Sequence, residues 1–409
     1  MPETLRTNKG FSLIEMIVVM LIFVIVIGIT GDAFNRIVSK ALSLTKTAES
    51  NIAGIVGLEL MRVDLEAAGY GLPWSFSQLI TYDEAADDPG VALNDNAITY
   101  SSDPTQNGIP HPIMSLDNVN SSDQTVVFKG TDVLAVRGQS VSTDAASKRW
   151  TYIESAVVPN TNPTPVRYTW SAENLKDTDR VVLIQPIANF KPTKQLIVNS
   201  SSGKWTDTFK NYTTIGKPPV YNDAEKKSDA YIIYGVNGDD NLRMPFNRAD
   251  FYVRRPAASE QGWFRLPQRC NPSTGVLIKG GVGHAKGHYD ELPLLECVLD
   301  MQVVYELRTS GTSMTTDVPA NYISTFTPKE VREQVKAIKV YILTHDGGRD
   351  KNYSYPNSTI GVGPGDGKTS GSGSTYDFAA NGIPDWQNYR WRVYQIVARP
   401  SNLTGSIAQ

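Results

Sequence analysis

Residues 11–31 read FSLIEMIVVMLIFVIVIGITG, and this stretch decides the fold. One charge, Glu15, interrupts an apolar run rich in Ile, Val and Met. Counted from Phe11, the run is about long enough to cross a hydrocarbon core as a helix. Before it lies a short polar leader, residues 1–10, carrying Arg6 and Lys9. Basic residues ahead of an apolar helix favour a cytoplasmic location for that end. A secretory signal places small residues and a cleavage site after its apolar segment. Here the small residue, Gly10, comes first.

A lone carboxylate in lipid is costly and marks a functional position by default. The sequence offers Glu15 no nearby intramembrane cation. Cleavage between Gly10 and Phe11 would create one, the new α-amine of Phe11, about one helical turn away. Between staggered helices, Glu15 of one chain would neutralise Phe11 of its neighbour.

The segment Gly10-Phe11-Ser12-Leu13-Ile14-Glu15 resembles the type III signal of type IV prepilins and pseudopilins. The resemblance implies that a prepilin peptidase cuts after Gly10 and methylates the amine of Phe11. It also implies that Glu15 aids docking into a growing filament. Residues 60–71, LMRVDLEAAGYG, are similar to the end of the stem helix in PilW-type minor pilins. Those proteins are related to the J-type pseudopilins of type II secretion. The likeness extends over residues 1–75 and, less closely, 290–400.

What the resemblance implies is an α+β fold. A long N-terminal stem helix, transmembrane and then amphipathic, packs on a large β-rich C-terminal globular domain. The expected divisions are a leader at 1–10, a transmembrane or filament-core half at 11–31, an amphipathic half at 32–69 and the domain at 70–409. The implied partners are other minor pilins and the major pilin through the stem, the prepilin peptidase, and a large tip adhesin. The implied location is the inner membrane, with the domain periplasmic, and then the pilus at the cell surface. The implied role is initiation of type IV pilus assembly in a priming complex at the tip.

The residues support a stem independently. Phe34, Val38, Ala41, Thr45, Ala48, Ile52 and Ile55 recur at alternating spacings of four and three, which keeps one stripe along a helix. Gly54 and Gly57 are weak points, each costing about 1 kcal/mol against Ala. The pattern stops near Gly69 and Gly71, with Pro73 beyond. From residue 72 to about 123 the chain reads as irregular, with a short strand at 97–100. Strands are predicted at 124–129, 131–136, 179–185, 196–199, 231–236, 251–254, 297–307 and 389–399 from Val, Ile, Tyr and Thr content. Residues 331–343 are predicted to start helical and become a strand.

The chain has 409 residues, a net charge of −3, 40% hydrophobic and 20% charged residues. That balance excludes a disordered chain and gives no electrostatic argument for nucleic acid. The two cysteines, Cys270 and Cys297, lie beyond the apolar run, where an oxidising compartment favours a disulfide. The loop between them holds Pro272, Gly275, Gly280, Gly281, Gly283 and Gly287 and reads as flexible; closing it would stabilise by about 3 kcal/mol.

Chemistry-bearing constellations are poor, and no catalytic residue, cofactor or metal site is assigned. Gly367-Lys368-Thr369 imitates the end of a phosphate loop, but Val362 stands where the first glycine belongs. His284, His288 and Asp290 share a glycine-rich stretch that lacks the support of a metal site. Asp239, Asp240 and Asn241 offer oxygens for calcium, and turn chemistry explains them as well. Residues 361–375 read as a flexible glycine-serine loop. The competing readings are a large structural or adhesive fibre pilin, a J-type pseudopilin, and a membrane-tethered enzyme.

Overall fold

The computed structural model describes residues 12–95, 108–155, 165–167, 174–187, 193–199, 202–212, 230–257, 259–260, 265–308, 315–364 and 374–403. Helix α1 (Leu13–Glu66) forms as the periodicity requires. The chain divides into two compact units, Met1–Ile52 and Ala53–Gln409. The first unit contains the apolar part of α1, and Leu13–Gly31 has the length and composition of a membrane span, with a mean hydropathy of 3.0. From Leu13 to Ile29 the apolar side chains are exposed.

The second unit holds the last turns of α1, a short helix α2 (Pro328–Gln334) and the strands. In chain order these are β1 (Ser75–Phe76), β2 (Ile113–Leu116), β3 (Val133–Gly138), β4 (Trp150–Ser155), β5 (Pro165–Arg167) and β6 (Arg180–Ile187). There follow β7 (Thr193–Leu196), β8 (Asp207–Thr208), β9 (Ala230–Asn237), β10 (Asn247–Arg254), β11 (Gly275–Val282) and β12 (Tyr289–Arg308). The last are β13 (Thr315–Pro319), β14 (Val335–Asp346), β15 (Thr359–Val362), β16 (Ser374–Asp377) and β17 (Arg390–Ala398). One sheet runs β17-β14-β12-β11-β10-β3-β2, with β13 beside β12. A second runs β1-β7-β6-β9-β4-β5, with β8 beside β6, and β15 and β16 pair separately. Every pairing is antiparallel except β1 with β7. The fold is α+β, an N-terminal apolar helix followed by a large β-rich domain, as expected.

The main core gathers Leu58, Met61 and Leu65 from α1 against Phe251, Leu277, Val298, Met301 and Val340 of the larger sheet. Fully burying each such side chain is worth roughly 1.5–3 kcal/mol. Gly54 and Gly57 stand where the helix touches the sheet. A Cβ on Gly57 would lie 2.1 Å from the Leu294 carbonyl oxygen, and one on Gly54 would lie 2.7 Å from Leu295 Cδ1. These glycines are close-approach points. Asp64 on the same helix meets Lys279 of β11 in a buried ion pair.

The helix ends on a left-handed glycine, Gly69, at φ +79°. Its N–H donates to the Arg137 carbonyl, and Gln139 N–H donates to the Tyr70 carbonyl. The Ala68-Gly69-Tyr70-Gly71 turn is therefore stitched to the end of β3. Gly138 lets the two backbones meet, because a Cβ there would sit 2.9 Å from the Ala67 carbonyl oxygen.

Four expectations need correction. The stretch from 72 to 123 is not irregular throughout, since β1 and β2 form within it by pairing with β7 and β3. Residues 124–129 are a turn: Asp123 Oδ1 accepts from Thr125 N–H and Oγ1, and its carbonyl accepts from Val126 and Val127 N–H. That side chain offers the backbone a local alternative to a ladder. The predicted strand at 196–199 forms earlier, as β7. The segment between the cysteines is no flexible loop, because it contains β11, a tight turn and the start of β12 in antiparallel register. Gly280 is strand interior because Tyr289 and Tyr252 lie over it, at 2.8 and 3.1 Å from a built Cβ. The ends of the glycine-serine stretch belong to β15 and β16; Gly367, Lys368 and Thr369 lie outside the described residues, as do 97–100.

Candidate functional site

Gly10 and Phe11 lie outside the described residues, so the N-terminal site is described from Ser12 onward. Glu15 sits in the first turn of α1. Its Oε2 accepts from Ser12 N–H at 2.9 Å, and Ser12 Oγ accepts from Ile14 N–H at 3.4 Å. Ser12-Leu13-Ile14-Glu15 thus behaves as half of a capping box, with the acid at the positive end of the helix dipole. The Ser-x-x-Glu spacing was legible in the sequence and went unread. From Met16 to Gly31 no ionisable side chain follows, and Thr30 Oγ1 is satisfied by the Val26 carbonyl at 2.7 Å. Physically, this end is an apolar rod with one accessible carboxylate near its tip, suited to contact lipid or other apolar helices.

Comparison with known families is decisive for that stretch. Residues 5–31 match the model of the prokaryotic N-terminal methylation motif. The motif indicates a type IV pilin-like or pseudopilin protein. With the apolar helix at Leu13–Gly31, the prepilin-type motif suggests a membrane-anchored, structural pilin. No curated protein and no solved structure matches the chain.

The other predicted residues lie far from that motif in sequence, within the β-rich unit. Cys270 and Cys297 form a disulfide, with Cα atoms 4.9 Å apart. His284 is buried in the turn between β11 and β12. Its Nδ1 accepts from Arg243 N–H at 3.2 Å, so Nε2 carries the proton and donates to Asn247 Oδ1 at 3.0 Å. Both lone-pair and proton sites are used, and burial lowers its pKa to about 4. His288 is exposed and meets Asp87 at 2.8 Å. Asp290 is part of β12. Asp239 and Asp240 donate their N–H groups to Asn237 Oδ1, a turn at the end of β9. Among the described residues, no three His, Cys, Asp or Glu side chains are placed to hold a metal ion.

Sequence reasoning missed a buried ionic network that organises residues 82–95. Arg248 forks onto Asp250 with two 2.8 Å bonds, and its Nη1 reaches Glu84 at 2.9 Å and Asn94 at 2.6 Å. Arg137 Nε donates to the same Glu84 at 2.8 Å, and Asp95 N–H donates to its other oxygen at 2.6 Å. His111 places Nδ1 2.7 Å from Asp95 and Nε2 2.7 Å from the Phe326 carbonyl. Burial pushes Asp95 up, but Arg137 and His111 outweigh it and leave its pKa lowered. The network is fully enclosed and its charges answer one another, so it fixes an irregular segment. Its members are scattered through the chain, and no local spacing announces them.

Proposed function

We propose that this chain is a minor pilin of the PilW type that takes part in starting type IV pilus assembly. The observation that carries it is the prepilin-type motif at residues 5–31, continuous with an exposed apolar helix whose far end is gripped by a large β domain. In this reading the prepilin peptidase cuts between Gly10 and Phe11 and methylates Phe11. The freed amine then pairs with Glu15 of a neighbouring stem, which relieves the cost of that carboxylate in an apolar filament core. The subunit is held in the inner membrane with its domain periplasmic, and then sits near the fibre tip among other minor pilins and beneath a tip adhesin. Retention of Glu15 suits a subunit that docks beneath another. No catalytic role is assigned to the domain.

Mass spectrometry of sheared surface fibres tests this. The expected result is an N-terminal peptide that begins at methylated Phe11, in trace amounts relative to a smaller pilin. An abundant Phe11 peptide would favour a fibre-forming adhesive pilin. Recovery with a secretion apparatus in place of fibres would favour a J-type pseudopilin. An intact leader would sink the pilin reading altogether.

A further inference from the structure

Among the described residues, buried cations are answered by acids, with one exception. Arg137 and Arg248 are saturated by Glu84, Asp250 and backbone carbonyls. Arg332, on α2, is only 6% exposed, and its Nη1 has no hydrogen-bond partner. Among the described residues it makes no ion pair. Its sequence neighbour Glu333 acts on it through charge alone, and Glu330 is occupied in the capping box with Thr327.

The guanidinium carbon lies 5.4 Å from the centre of the Trp74 ring. A second cation shares that ring, with Lys194 Nζ at 5.8 Å. Lys194 belongs to β7, and Trp74 N–H donates to its carbonyl at 2.6 Å. Both cations therefore lie against one indole, where α2, which leads into the larger sheet, meets the β1–β7 end of the smaller one. Burial first, and then the charge of Arg332, lowers the pKa of Lys194. Burial lowers that of Arg332 to about 10. A cation–π contact gives back only part of what an unpaired buried charge loses in desolvation.

We propose that Arg332, Lys194 and Trp74 form a binding site for an oxyanion, a carboxylate or phosphate group carried by a solute. The planar guanidinium fork fits either group in two-pronged fashion, and the lysine adds a point charge. The indole holds the guanidinium plane in place. This site goes beyond the assembly role and does not depend on it.

The test is calorimetric titration of the full chain in neutral detergent micelles with inorganic phosphate and, separately, acetate, at constant ionic strength. Saturable binding of either anion is expected, with a rise in Tm. Phosphate alone would identify a phosphate ligand, and acetate would identify a carboxylate. Arg332→Gln should weaken binding about tenfold or more, the value of a charge-assisted pair. Lys194→Gln, on a less buried group, should weaken it by up to about fivefold. Arg332→Met should leave Tm in anion-free buffer unchanged or higher, because an unanswered charge is removed. Binding that is absent, or unaltered by Arg332→Gln, would overturn the site. So would a markedly lower Tm for Arg332→Met, which would make Arg332 a structural group.

Discussion

Glu15 has two separable duties, capping its own helix and presenting a negative charge. Glu15→Gln keeps an oxygen for Ser12 N–H and loses the charge, whereas Glu15→Ala loses both. We expect processing at Gly10–Phe11 to continue in both variants, read as the mature band on an immunoblot, while surface fibres become scarce. Normal piliation in Glu15→Ala would remove the docking role. His284 supports a second prediction at this scale. Its folded pKa of about 4 lies below the ordinary 6.5, so the unfolded chain binds the extra proton as pH falls. Stability present above pH 6.5 is thus lost on the way down to pH 4, by about 3 kcal/mol for this one ring. Burial raises Asp132 to about 8 and Asp300 to about 6, which acts in the opposite direction. The informative quantity is therefore the difference between wild type and His284→Gln in urea unfolding at pH 7 and pH 4. A difference that does not change with pH would refute the assignment. Nothing around His284 in the sequence showed this, because its partners are Arg243, in the bend before β10, and Asn247, the first residue of β10.

At the scale of elements, glycine carried the most easily misread signal. Gly54 and Gly57 look like helix breakers, yet they lie where α1 presses on Leu294 and Leu295. Gly57→Ala should cost about 2 kcal/mol or more through overpacking against a backbone oxygen. Gly28→Ala, with nothing within 4 Å of its Cβ, should stabilise the helix by about 1 kcal/mol. Thermal unfolding of the two variants in micelles checks the contrast, and equal melting points would contradict it. The glycines of β11 were misread as loop for the same reason, since composition cannot separate a flexible glycine from one covered by Tyr252 and Tyr289. Where the side-chain period changes, the sequence was legible, as in the passage from helix to strand within 331–343, although the cap that starts the helix earlier was not read. Thr327 and Glu330 close a capping box on α2, Val331 is buried, and β14 follows at Val335. The alternation of residues 389–399 likewise became β17.

For the whole molecule, the apolar helix and the β-rich domain were legible from hydropathy and strand content, and the prepilin-type motif from six residues. The order of strands in the two sheets was not, because it rests on contacts distant in sequence. The disulfide links chain positions 27 residues apart and should contribute about 3 kcal/mol. Paired Cys270→Ser and Cys297→Ser replacements should lower Tm in a scanning calorimeter, and an unchanged melting point would show that the sheet holds the hairpin without it. That bridge also bears on mechanics. Lys279, Leu294 and Leu295, which hold the root of α1, all lie inside the ring closed by Cys270 and Cys297. Tension on the helix enters the domain through a covalent loop, so these strands cannot be drawn out as a linear thread while the bridge is intact. In single-molecule pulling, the reduced chain should extend further per rupture than the oxidised one, by the contour length that the ring conceals.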